Sequence, residues 1–316
     1  MPDTLYIVIP CYNEQEALPE TSRRIKIKLD DLKTSKFVSP ESRILFVNDG
    51  SGDNTWDIVK SLHQADPGTF SGVNLTSNRG HQNALMAGLM TAKDRADAVI
   101  SMDADLQDDI DALDAFWEKY TEGHDVVYGV RNDRTADTFF KRTTAQGYYK
   151  VLALMGVNLV YNHADYRLLS RRALDGLSEF KEVNLFLRGV VPLIGYKSCE
   201  VYYQRNERFA GQSKYPLRKM LSFAWNGVTS FSVKPIRFVT ILGFLVFFIS
   251  LLFMMYTLYA RFFGNTVPGW SALMISIWLL GGLQILCLGV VGEYVGKIYS
   301  EAKARPRYII EDILDR

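Results

Sequence analysis

AVISMDADLQDD, residues 98–109, is a short apolar run that breaks into carboxylates. An apolar stretch of this length, ending in Asp103-Ala104-Asp105, reads as a buried strand delivering two acids at its carboxyl end. The pattern recurs on either side. Leu5–Pro10 runs into Tyr12-Asn13-Glu14, Arg43–Asn48 into Asp49-Gly50-Ser51-Gly52-Asp53, and Val73–Thr76 into Asn78-Arg79-Gly80. Ala98–Met102, Val126–Val130, Tyr166–Ser170 and Tyr196–Gln204 complete the expected strands, and helical patterns fill 15–33, 54–65, 80–94, 109–121 and 138–155. A β-α-β-α succession predicts an α/β fold with a mostly parallel sheet covered by helices on both faces. Ligands of such sheets bind beyond the carboxyl ends of the strands. One Asp or Asn at such an end is an ordinary helix cap; four along one edge line a crevice.

Carboxylates at i and i+2 converge on a hard cation, and Gln107 adds another oxygen. Mg²⁺ or Mn²⁺, with diphosphate oxygens and water completing its shell, fits Asp103, Asp105 and Gln107. The turn after Asn48 starts like a dinucleotide fingerprint, but position 55 is Thr rather than Gly, and no P-loop motif occurs. It still offers Asp49 to a base or ribose. His63, His124 and His163 are scattered, which argues against zinc, and His81 reads as a helix-start residue.

The charge distribution divides the chain. Residues 238–292 carry one charge, Arg261, while the other 261 residues carry 70. That partition excludes both a wholly soluble protein and a mostly embedded transporter. Residues 238–260 and 270–292 are each 23 residues without a charge, enough at about 1.5 Å per residue to cross a hydrocarbon core of ~30 Å. Gly264, Asn265, Pro268 and Gly269 make the connector a turn, so 236–292 is expected to be a transmembrane hairpin. Lys234, Arg237, Lys297, Lys303, Arg305 and Arg307 flank its open side, which predicts cytoplasmic termini at a plasma membrane. The N-terminus MPDTLYIVIP lacks the basic region of a signal peptide. Residues 205–235 form a basic collar, with an amphipathic interfacial helix expected over 217–233. The collar is short and confined to the membrane border, so anionic headgroups or phosphates are its expected partners and nucleic acid is not. Residues 293–316 are expected to be a cytoplasmic tail. Cys11, Cys199 and Cys287 form no CxxC and read as buried thiols in a reducing compartment. Gly281, Gly282, Gly289 and Gly292 give the second span a small-residue face on which a second copy could pack as a homo-oligomer.

VIPCYNE (8–14), VNDGSGDNT (47–55), NRGHQNAL (78–85), MDADLQD (102–108), ADYRLLSR (164–171) and RFAGQSKY (208–215), followed by the hairpin, resemble family 2 glycosyltransferases. The likeness covers essentially the whole chain and is to the polyprenyl-phosphate branch, which includes bactoprenol glucosyltransferases and dolichol-phosphate mannose synthases. It implies a GT-A catalytic domain over 1–204. It implies that Pro10, Tyr12, Glu14, Asp49 and Asp103 bind the nucleotide sugar, with Asp103, Asp105 and Gln107 around the metal. Asp165 falls where the family has an acidic residue near the reacting sugar. Arg131, Arg205, Ser213 and Lys214 are implied as ligands of the acceptor phosphate. The expected reaction moves a hexose, glucose from UDP-glucose foremost, to undecaprenyl phosphate at the bilayer. Mannose, GlcNAc and aminoarabinose donors remain alternatives. A processive polysaccharide synthase would carry QxxRW, which this sequence lacks. A non-catalytic nucleotide-binding module would leave the acid and base clusters unexplained.

Overall fold

The structure is a computed structural model that describes residues 2–131, 163–183, 186–204 and 269–315, with scattered positions between 236 and 255. The chain divides into two units, one holding Met1–Tyr149, Asn158–Pro216 and Arg305–Arg316, the other Lys150–Val157 and Leu217–Ala304. The first unit runs β1 (Leu5–Cys11), α1 (Leu18–Thr34), β2 (Arg43–Asn48), α2 (Thr55–Ala65), β3 (Phe70–Leu75), α3 (His81–Ala92), β4 (Ala98–Ser101), α4 (Ala112–Thr121), β5 (Val126–Arg131), β6 (His163–Ser170), α5 (Arg171–Ser178), α6 (Leu187–Leu193) and β7 (Ser198–Tyr203). Its last strand, β8 (Ile310–Leu314), follows the long helix α7 (Trp270–Ala302) of the second unit.

The eight strands form one sheet in the order β7-β5-β6-β4-β1-β2-β3-β8. Every residue of β1 is buried. A strand covered on both faces reads as an unbroken apolar run, which is why these segments were legible. β1, β2, β3 and β4 pair in parallel, as do β5 and β7. β6 runs antiparallel to β4 and β5, and β8 antiparallel to β3. The sheet is thus mixed rather than mostly parallel, because hydrophobic period marks a strand and its faces but not its direction. The reversal matters for function. Ser101 lies opposite Arg167, so the amino end of β6 reaches the edge where β4 leaves the sheet. Asp165 is thereby delivered alongside Asp103.

α3 is seated directly on the parallel strands. A Cβ added at Gly88 would stand 2.7 Å from Val47 Cγ2 and nearer still to Val8. The bare backbone lets the helix approach, and that fixes the height of His81 in its first turn. Below the sheet, Phe46, Phe70, Ile25 and Leu29 belong to one core with Phe116 and Trp117.

The C-terminus corrects the expected tail. The helix does not stop at residue 292; α7 continues to Ala302. β8 then joins the sheet of the first unit at the free side of β3. Asn74 Nδ2 donates to Glu311 at 2.8 Å, Asp315 pairs with Arg43 at 3.1 Å and with Arg95, and Arg307 donates to the Phe180 carbonyl. Residues 305–316 therefore belong to the first unit. Their charges looked like solvated tail because Ile310 and Ile313, with Glu311 and Asp312 between them, do not alternate with the period of two that announces a strand.

Among the described residues no helix is long and apolar enough to cross a membrane. α7 exposes Leu273, Ile277, Ile285, Leu288, Val295 and Ile298. The expected helices over 138–155 and 217–233, and Arg205, Ser213 and Lys214, lie outside the described residues.

Candidate active site

The loops leaving β1 and β2 are tied together by their own polar side chains. Asn13 donates its N–H to Ser51 Oγ at 3.0 Å, and its Oδ1 accepts from Gly52 N at 2.9 Å. Asn13 takes a left-handed backbone, φ +54°, a conformation that Asn tolerates. Glu14 N donates to Thr55 Oγ1. Of the residues expected to bind nucleotide, Pro10 is buried in β1, Glu14 is half-buried, and Tyr12 is 44% exposed just beyond the strand.

Asp49 is 2% exposed, and its two oxygens accept from the backbone of Arg79 at 2.7 Å and Gly80 at 2.9 Å. Burial raises its pKa, and these two bonds only partly offset the effect. Gly50 makes the juxtaposition feasible: with φ +62°, a Cβ there would sit 2.5 Å from Asn78 N. Asp49 thus holds the β2 and β3 exits together, a role that the sequence pattern alone did not suggest.

The acidic loop after β4 turns through Leu106, which has φ +58°. A left-handed leucine costs about 1–2 kcal/mol, so the surrounding loop must enforce it. Gln107 N donates to Asp105 Oδ1 at 3.1 Å, closing the turn. Burial, then the charges of Asp165 and Asp105, raise the pKa of Asp103 against the opposing pull of His81. Among the described residues no three His, Cys, Asp or Glu side chains group as a metal site. Two carboxylates on one loop, with concentrated negative charge and an orphaned buried oxygen nearby on Asp108, nevertheless fit a hard divalent ion whose remaining ligands are water and phosphate.

Asp108 is 1% exposed. Its Oδ1 accepts from Tyr203 OH at 2.6 Å and lies 3.7 Å from Arg131 Nη2, and Arg131 Nε reaches Tyr203 OH at 3.3 Å. Burial, then the charge of Asp103, push the Asp108 carboxyl up to about 6. Arg131, expected as a phosphate ligand, is therefore held beside the acidic loop by Asp108 and by Tyr203 at the end of β7.

Asp165 is the hub of a cationic network. Oδ1 accepts from Arg167 Nη2 at 2.7 Å and from Arg188 Nε at 3.2 Å. Oδ2 accepts from Arg188 Nη2 at 3.1 Å and lies 3.6 Å from His81 Nε2, which is 3.8 Å from Asp103 Oδ1. Burial opposes ionisation of Asp165, but Arg188, His81 and Arg167 outweigh it and hold the carboxyl well below its usual range. Burial likewise opposes charge on His81, yet Asp165 and Asp103 raise it to about 9. A carboxylate offers about four lone-pair sites. Three of those of Asp165 are taken by guanidinium N–H groups, and His81 faces the carboxylate at 3.6 Å, so its neighbours here are cations.

His81 is both a helix-start residue, as expected, and a member of this site, which was not expected. Arg167, Arg188, Asp108 and Tyr203 were also missed. Asp165 and Arg167 carried a usable signal: at i and i+2 in a strand they share a face. Arg188 carried none, because its proximity arises from the placement of α6.

The model for "Glycosyl transferase family 2" matches residues 6–177, and that for "GtrB C-terminal hairpin" matches 234–298. The chain is 53% identical to "Uncharacterized glycosyltransferase YkoT" of Bacillus subtilis (strain 168), over 97% of this chain and 91% of that protein. It is 39% identical to "Bactoprenol glucosyl transferase" of Shigella phage SfV, over 97% of each. Among solved structures, glucosyl-3-phosphoglycerate synthase from Mycobacterium tuberculosis overlaps 72% of this chain and 78% of its own, with a TM-score of 0.47 at 16% identity.

Proposed function

The chain belongs to glycosyl transferase family 2 and is a glycosyltransferase, and from that premise we propose that it transfers glucose from UDP-glucose to undecaprenyl phosphate at the cytoplasmic face of a membrane. The observation that carries this reading is likeness along the whole length, hairpin included, to a protein named bactoprenol glucosyl transferase. The two uncharged 23-residue stretches, the match to a C-terminal hairpin and the apolar exposure of α7 support a membrane anchor.

In this reading Pro10, Tyr12 and Glu14 bind the base and ribose. Asp49 shapes the loop that receives them. Asp103, Asp105 and Gln107 would hold Mg²⁺ or Mn²⁺, which when bound neutralises charge on the departing diphosphate. Arg131, together with Arg205, Ser213 and Lys214, would bind the acceptor phosphate, for which guanidinium and ammonium groups are suited.

A phosphate monoester has a second pKa of about 6, so the acceptor is already a nucleophile at neutral pH. Its oxygen forms a bond to the anomeric carbon as the bond to the nucleoside diphosphate breaks, with inversion. No protein base is required, in keeping with an Asp165 carboxylate already held by three guanidinium N–H donors. The cations around the crevice offset repulsion between donor and acceptor phosphates.

The test is transfer of radiolabelled sugar to polyprenyl phosphate across a panel of UDP- and GDP-sugars. UDP-glucose is expected to give the highest kcat/KM and a β-linked product from the α-linked donor. Preference for another sugar would replace the donor, and failure with every donor would overturn the acceptor assignment.

A further inference from the structure

Arg188 lies outside the strand scaffold that carries the acidic loop, yet its geometry is tightly specified. Its neighbour Leu187 is pinned at both ends of the residue. Leu187 N donates to Gln82 Oε1 at 2.8 Å, and Leu187 O accepts from Arg167 Nη1 at 3.3 Å. Gln82 sits next to His81 in α3, and Arg167 sits two residues after Asp165 in β6. The same two elements that supply the hub therefore dock the first turn of α6. The docked turn points the Arg188 guanidinium at Asp165 through two parallel N–H···O contacts. Such a fork fixes the direction of a carboxylate as well as its charge. With Arg167 on the other side, Asp165 can turn neither way, and its remaining contact faces His81. Arg167 and Asp165 are covered, whereas His81 is 36% exposed and stands next to Asp103.

We propose that Arg188 is a positioning residue for glycosyl transfer, acting through Asp165 to hold His81 in place beside the acidic loop. His81 borders Asp103, so a displaced Asp165 misplaces the imidazole rather than removing a group from the substrate. The role rests on the donor reading above only as far as the crevice beside Asp103 is where the sugar nucleotide reacts. Arg167 cannot take over this role, because its guanidinium already bridges Asp165 Oδ1 and the Leu187 carbonyl.

The test is a mutant cycle on the full-length enzyme in detergent, reading nucleoside diphosphate release with whichever nucleotide sugar the wild type turns over. Arg188→Ala removes a charge-assisted fork and is expected to lower kcat about 10- to 100-fold, with the donor KM changed less than about 3-fold. Arg188→Lys keeps the charge without the fork and is expected to recover only part of that loss. Combined with His81→Gln, Arg188→Ala is expected to add little, leaving the double variant within about 3-fold of the worse single variant, as residues acting through one contact are non-additive. Multiplying losses, a kcat within about 3-fold of wild type in Arg188→Ala, or full recovery in Arg188→Lys would each overturn the proposal.

A readout without substrate separates this from the donor reading. The chain has four histidines, so with ¹³C-labelled histidine the His81 ring signal is identified by its loss in His81→Gln. In Arg188→Ala that signal is expected to move at fixed pH, while those of His63 and His124 stay. If the wild type releases diphosphate from no donor, the donor reading has failed and the ring signal alone decides. An unmoved His81 signal in a folded Arg188→Ala protein overturns the positioning role.

Discussion

Asp49 and Asp165 are both covered carboxylates at the same edge of one sheet, and they are held in opposite ways. Asp49 follows a strand of the parallel half and is bonded by two peptide N–H groups. Asp165 opens a strand of the antiparallel half and is bonded by two guanidinium groups and faced by an imidazole. Neutral amides leave Asp49 with a raised pKa, because burial exceeds what they return. Cations reverse the balance at Asp165. A carboxylate bonded by amides shapes a turn, here joining the β2 and β3 exits. One bonded by cations orders those cations, here α3 against β6 and α6.

The largest expected effect falls on the acidic loop between the two halves. Asp105→Asn removes a charge from the pair expected to hold the ion, and Lewis-acid assistance is worth several kcal/mol. Turnover is expected to drop about 10³-fold with the fold retained, and chelation by EDTA should do the same to the wild type. Diphosphate release assays and circular dichroism read the two outcomes. A fully active Asp105→Asn enzyme in EDTA would leave the loop with a structural role only.

Stability should separate the two carboxylates next. Asp165→Asn strands Arg167, which is 1% exposed, next to a neutral amide. Removing one partner of a buried ion pair costs about 3–5 kcal/mol. Asp49→Asn keeps one acceptor for the Arg79 or Gly80 N–H and turns a donor toward the other, which costs about 1–3 kcal/mol. Urea unfolding in detergent should give that order. Equal losses would mean that the cations around Asp165 stabilise no more than amides do.

These differences bear on how far the sequence could be read. β1, β2 and β4 were legible because parallel buried strands are continuous apolar runs, and Asp103, Asp105 and Asp49 were legible because they terminate them. The direction of β6 was not, since a period of two is the same read either way, and with it went the pairing of Asp165 with His81. β8 was missed because its two isoleucines are separated by Glu311 and Asp312 and it gains its pairing from β3, some 240 residues away by number, a contact local pattern does not carry. Arg188 and Tyr203 are brought in by tertiary packing, so no local motif marked them. The charge partition did mark the segment that the hairpin family model matches, but not the return of the chain to the sheet.

The smallest expected effect is in the acid limb of stability. The folded pKa of Asp165 lies below its unfolded value of about 3.9. Its stabilisation is complete above that value and is lost as pH falls through the folded pKa. The folded pKa of Asp49 lies above the unfolded one. The fold therefore holds that proton more tightly, so ionising Asp49 costs stability as pH rises through the interval, and acidification returns it. The two groups bend the limb in opposite senses, each by at most about 1.4 kcal/mol per pH unit for a whole proton. Between pH 5 and pH 3, Asp165→Asn should lose stability less steeply than the wild type and Asp49→Asn more steeply. Unfolding free energies at half-unit steps resolve the slopes without depending on the absolute stability of either variant. Parallel limbs in all three proteins would show that amides and cations hold these carboxylates alike, and the contrast between the two halves of the sheet would then be one of geometry and not of charge.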